Sequence, residues 1–60
     1  MKTIYYLNNK KISRKALKEK IGDERVKAMT AEAKDSFRAD PLVLQSFFLG
    51  SLGMLVIEFE

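Results

Sequence analysis

Apolar and polar positions change their spacing three times along the chain. Thr3-Ile4-Tyr5-Tyr6-Leu7 is a run of β-branched and aromatic residues, a composition that suits a pleated, half-buried strand. Asn8-Asn9 follows. Asparagine tolerates left-handed backbone, so the pair predicts a two-residue hairpin turn with Lys10-Lys11-Ile12 as a short return strand. Tyr5 and Tyr6 then point to opposite faces, one ring into the core and the other outward.

A helical period takes over at Ser13. Its hydroxyl suits an N-cap. Ile12 before the cap and Leu17 in the next turn have the spacing of a hydrophobic staple. Leu17 and Ile21 share one helix face. Gly22 suits the position where a left-handed residue ends a helix. Asp23 is expected to cap a second helix, with Glu24 in its first turn. Val26, Met29, Thr30, Ala33 and Phe37 form one stripe, with Arg25, Lys27, Glu32, Lys34, Asp35 and Arg38 off it. Pro41 closes this helix, because the residue before a proline leaves the α region. The pattern leaves open whether the chain bends at Gly22 or runs through it.

No charge occurs from Pro41 to Ile57. One reading is a β-hairpin with Val43–Leu49, a Gly50-Ser51-Leu52-Gly53 turn and a return strand Met54–Phe59. Leu55, Ile57 and Phe59 alternate with Met54, Val56 and Glu58, as in a strand with one buried face. The segment 42–49 also reads as the start of a helix, with Asp40 as cap and Pro41 in its first position. As a membrane span the run is short and is interrupted by Gln45, Ser46, Ser51 and two glycines, so the hairpin reading leads. Glu58 and Glu60 are expected on the outer face of a terminal strand, where charge discourages edge pairing.

The fold expected is α+β: an N-terminal strand or short hairpin, two helices or one bent helix, and a C-terminal β-hairpin, in an antiparallel sheet covered on one face by the helix stripe. Sixty residues make a single small domain. A chain this short buries only about 60% of its unfolded surface, and such domains draw extra stability from disulfides, metals or self-association. The sequence has neither cysteine nor histidine. Disulfides, thiolate metal sites and thiol nucleophiles are excluded, as are imidazole bases and ligands. No cofactor is implied. The absence of cysteine suits a reducing, cytoplasmic setting, and the N-terminal stretch does not read as a secretory signal, since its apolar run breaks at Asn8.

Charge alters this picture. The net charge is +3, but residues 1–22 carry seven cations against Glu19 alone, while 23–40 and 41–60 are net negative. Lys10, Lys11, Arg14, Lys15 and Lys18 are the candidate anion- or nucleic-acid-binding residues. Arg14 and Lys15 stand in the first turn of a helix, where the macrodipole disfavours cations. Arg14 and Lys18 form a like-charge pair four residues apart. A phosphate at that helix end would turn both penalties into attractions, and the outward tyrosine beside Lys10 and Lys11 could stack a base. A helix-turn-helix reader fits poorly, because Asp23-Glu24 makes the turn acidic and five carboxylates lie within 23–40.

Catalytic chemistry is thin. Glu32 and Asp35 lie on the polar face of the second helix, and the Gly50–Gly53 segment lacks the lysine and the following helix of a phosphate loop. The chain is therefore not read as an enzyme. The order Tyr-Tyr-Leu-Asn-Asn-Lys-Lys-Ile-Ser, an amphipathic helix, Asp40-Pro41 and an apolar strand ending Ile57-Glu58-Phe59-Glu60 resembles short uncharacterised proteins of phages and mobile elements of Gram-positive bacteria. The resemblance implies an accessory role, such as binding a host protein or nucleic acid, and carries no site. The leading expectation is a small protein-interaction module that forms a homo-oligomer through Phe47, Phe48, Leu52, Met54 and Val56, apolar surface beyond what one helix stripe can cover. The alternative is a nucleic-acid-binding accessory protein that uses the basic N-terminal third.

Overall fold

The computed structural model describes residues 2–42 and 45–60. Strand β1 (Thr3–Leu7) turns through Asn8 and Asn9 into β2 (Lys10–Ile12). Both asparagines have positive φ, 52° and 67°, as the expected two-residue turn requires. Helix α1 (Arg14–Ile21) follows, then α2 (Asp23–Ala39), β3 (Gln45–Phe48), a 3-10 turn over Gly50–Leu52 and β4 (Met54–Phe59). The sheet is antiparallel, in the order β2-β1-β4-β3. The architecture is α+β, with a hairpin at each end of the chain and two helices between.

Ser13 caps α1, its hydroxyl accepting the Ala16 N–H at 3.1 Å. The chain breaks at Gly22, whose φ of 94° is costly for any residue with a Cβ. Two helices result. Asp23 is not the cap of the second: it lies inside the first turn of α2, and Gly22 holds the position before it. Its carboxylate pairs instead with Lys18 and Lys27, each at 3.1 Å.

The segment whose type the pattern left open is a strand over its described part, Gln45–Phe48. Val43 and Leu44, assigned to the same strand from sequence, lie outside the described residues. Leu42 precedes them in a turn and donates its N–H to the Asp40 carboxylate at 3.1 Å, so Asp40 caps a turn and not a third helix. Strand β4 is central and paired on both sides. Glu58 therefore guards no edge, contrary to the expectation for a terminal strand; the two edges are β2 and β3.

Strand alternation sends Tyr5, Leu55, Ile57 and Phe59 toward the helices, where they join Leu17, Val26 and Ala33 in one buried cluster. The Phe37 ring packs on Phe59 with centroids 5.2 Å apart. The predicted stripe of α2 is thus the face that meets the sheet. Tyr5 supplies its polar link: its hydroxyl lies 2.9 Å from the Thr30 hydroxyl. Thr30 donates to the Val26 carbonyl at 2.7 Å, so Tyr5 donates to Thr30. Arg14 donates in turn to the Tyr5 oxygen at 3.4 Å. One relay ties the start of α1, the centre of β1 and the middle of α2, and it satisfies two buried hydroxyls that would otherwise cost about 1–3 kcal/mol each.

The two ends of the chain meet at Asn8. Its side-chain amide donates to the Leu52 carbonyl at 2.9 Å and its side-chain oxygen accepts the Met54 N–H at 3.1 Å. A Cβ at Gly53 would overlap that amide. The Asn8 side chain is therefore a clasp between the two hairpins as well as part of a turn.

Candidate functional site

The hydrogen-bond phase of the central strands decides what each edge offers. Lys2 and Glu60 exchange both backbone bonds, at 3.0 and 2.9 Å. In an antiparallel ladder bonded and non-bonded pairs alternate. Ile4 and Tyr6 therefore turn their backbone groups toward β4, and Tyr5 and Leu7 toward β2. Tyr5 and Leu7 pair with Ile12 and Lys10, which leaves the N–H and C=O of Lys11 directed outward. By the same alternation Leu55 and Ile57 bond to Phe47 and Gln45, and the backbone groups of Ser46 and Phe48 point outward from β3.

Side chains make the two edges unlike. On β3, Phe48 is 76% exposed, and its cross-strand partner Met54 is 43% exposed on the same uncovered face. Leu52 is exposed in the adjoining turn. Of the five residues expected to drive self-association, these three form one apolar corner. Val56 lies on the uncovered face too, half-buried. Phe47 points the other way and packs against the core cluster. No charged residue stands on β3.

On β2, two of three residues are lysines. A groove of about 340 Å³ runs between this hairpin and α1, floored by Leu7 and Ile12 and rimmed by Lys10, Lys11 and Lys20. A second groove, of about 220 Å³, shares Lys11 and Ile12 with it and is flanked by Lys2 and Arg14. Among the described residues no carboxylate lines either groove. Of the five cations expected to bind anions, Lys10, Lys11 and Arg14 are brought to this strip. Lys18 is held by Asp23, and Lys15 lines neither groove. Lys2 and Lys20 join the strip although the linear charge pattern did not single them out; the pairing of β1 with β2 and the inward edge of α1 put them there. Tyr5 is the core ring, 3% exposed. Tyr6 is the outward one, half-buried on the uncovered face and opposite Lys11 across the strands.

Two lysines act on the Asp23 carboxyl. Hydrogen bonds from Lys27 and then Lys18 hold its carboxyl below the ordinary value of 3.8. Among the described residues no group of three acidic side chains is placed to hold a metal ion, and no helix is long and apolar enough to cross a membrane. Comparison with protein-family models, curated proteins and solved structures finds no match to the chain.

Proposed function

We propose that the chain is a small, non-enzymatic protein-interaction module that pairs with a second copy of itself through the β3 edge, and that it serves an accessory role in the cytoplasm. The observation that carries this reading is an unguarded edge: an uncharged strand with outward backbone groups at Ser46 and Phe48 and a Phe48 ring that is 76% exposed. Sheet edges are ordinarily protected by lysine, proline or bulges, and β2 has such protection. A twofold axis beside β3 would set two antiparallel edges against each other and extend the sheet to eight strands. No like charges would meet there, because residues 41–57 carry none. A four-residue edge is short, so the rings and side chains at the Phe48, Met54 and Leu52 corner must supply the rest of the contact.

Sedimentation velocity at micromolar concentration tests this. Wild-type protein is expected at twice 6.9 kDa. Phe48→Lys removes the anchor and gives the edge the guard that β2 has. It should remain folded and weaken the dimer by about 2 kcal/mol or more, a factor of roughly 30 in Kd. A wild-type chain that stays monomeric at high concentration overturns the reading.

A further inference from the structure

The two grooves along β2 have no part in that pairing, which lies on the opposite edge of the sheet. They share Lys11 and Ile12 and so form one strip from Lys2 and Arg14, through Lys11, to Lys10 and Lys20. Among the described residues none of these five cations is in an ion pair; the pairs formed are those of Lys18 and Lys27 with Asp23. Five unpaired cations and no acid around an apolar floor is an unusual arrangement for a chain with eight carboxylates to distribute. It is complementary to a polyanion with apolar parts.

We infer that the β2 strip binds single-stranded nucleic acid that crosses the β2 edge, with phosphates on Lys2, Lys10, Lys11, Arg14 and Lys20 and a base stacked on Tyr6, which lines neither groove and stands beside Lys11 on the uncovered face. Three observations separate this occupant from other anions. An aromatic ring lies directly across the strands from a lysine, Tyr6 opposite Lys11, and that pairing of cation and stacking surface is what single strands use. An acidic peptide added to β2 as a strand would find only the outward N–H and C=O of Lys11, since Lys10 and Ile12 already bond to β1; it would gain little from its backbone. Sequence-specific reading of a duplex needs an element that enters one of its grooves. Here the strip is concave, and the longer helix carries Glu24, Glu32 and Asp35 on its exposed surface. Leu7 and Ile12 give the floor an apolar surface for the sugar or base edges.

Fluorescence anisotropy with a short labelled oligothymidylate tests the assignment. Contacts with three to five phosphates predict a slope of about −2 to −3.5 in log K against log salt between about 50 and 200 mM. Lys11→Gln with Lys20→Gln should lower affinity at least tenfold at the lower salt and flatten the slope by about 1.4. Lys15→Gln with Arg38→Gln removes the same charge outside the strip and should change affinity less than about twofold. Tyr6→Leu should weaken binding about fivefold or more and leave the slope unchanged. Circular dichroism checks that every variant is folded. Equal losses from the two glutamine pairs would reduce the effect to net charge and overturn the site. So would the absence of binding at the lower salt, displacement of the oligonucleotide by equimolar polyglutamate, or tighter binding of duplex than of single strand. None of these outcomes depends on the oligomeric state, so the site and the β3 pairing can fail separately.

Discussion

Strands β2 and β3 flank the same two central strands, and each leaves backbone groups unpaired on its outer side, but their side chains differ in kind. β2 is three residues long, and two of them are lysines. A second copy brought to that edge would set Lys10 and Lys11 against like charge, and a charged, short edge is a standard way to prevent strand addition. β3 is Gln45-Ser46-Phe47-Phe48, with no charge and a ring standing in solvent. One sheet thus has one charged edge and one uncharged edge. The contrast separates two surfaces on a chain only 60 residues long: an apolar one, which we propose meets a second copy, and a cationic one, which we propose meets a polyanion. The two surfaces lie on opposite edges of one sheet.

The largest effect expected on this contrast comes from the clasp that joins the two hairpins. Gly53 has φ 97°, and a Cβ there would displace the Asn8 amide. Gly53→Ala should therefore add backbone strain of about 1–3 kcal/mol and lose two side-chain bonds worth about 1 kcal/mol each. A total of about 3–5 kcal/mol is a large share of the stability of a small domain. Urea denaturation of Gly53→Ala, Asn8→Ala and the double variant measures it. The two losses should be strongly non-additive, because both act on the same contact. Additive losses would mean that a Cβ at position 53 does not act through the Asn8 clasp.

The elements behind this contrast were legible in the sequence to unequal degrees. Asn8-Asn9, Ser13 and the Val26–Phe37 stripe announce themselves locally, through turn chemistry, a cap and a helical period, and the structure has each of them in place. The alternation of Leu55, Ile57 and Phe59 marks β4 as a strand but not as a central one. Which strands are neighbours depends on pairings between residues some fifty positions apart, such as Thr3 with Phe59, and no local pattern carries that information. For this reason the local pattern puts Glu58 on a terminal strand at an edge, whereas β4 lies between β1 and β3. The second part of Asn8's role was hidden for the same reason, since its partners Leu52 and Met54 lie at the other end of the chain. The basic third was visible as a charge count, but the count could not sort its members. Lys18 leaves the set by pairing with Asp23, and Lys2 and Lys20 enter it through the fold.

A smaller effect is expected from removing the guard on β2. Lys10→Thr with Lys11→Thr replaces two exposed cations by residues that favour strands, and should change stability by less than about 0.5 kcal/mol. What should change is association. With both edges uncharged, light scattering at rising concentration should reveal species larger than a dimer, because strand addition can now continue on both sides of the sheet. Should the double variant stop at the dimer, charge on β2 is not what limits the assembly.

The smallest effect separates the halves by pH. Asp23 bridges Lys18 of α1 and Lys27 of α2, and these bonds lower its pKa below 3.8 in the folded protein. A carboxylate depressed on folding contributes stability that is complete above its unfolded pKa and is lost as pH falls through the lower folded value. The contribution should therefore be full at neutral pH, begin to decline near 3.8 and vanish below the folded pKa. Both partners are exposed, so salt should screen it as well. Asp23→Asn isolates it: the variant should melt slightly below wild type at neutral pH and low salt, and the gap should close in acid or at high salt. Hydrogen exchange should place the loss in α1 and the first turns of α2, with β3 and β4 unaffected, because the ion pairs of Asp23 join α1 to α2. If the gap persists below the folded pKa, the substitution acts through the start of α2 and not through the ion pairs, and the charged half of the molecule is no more sensitive to pH than the uncharged one.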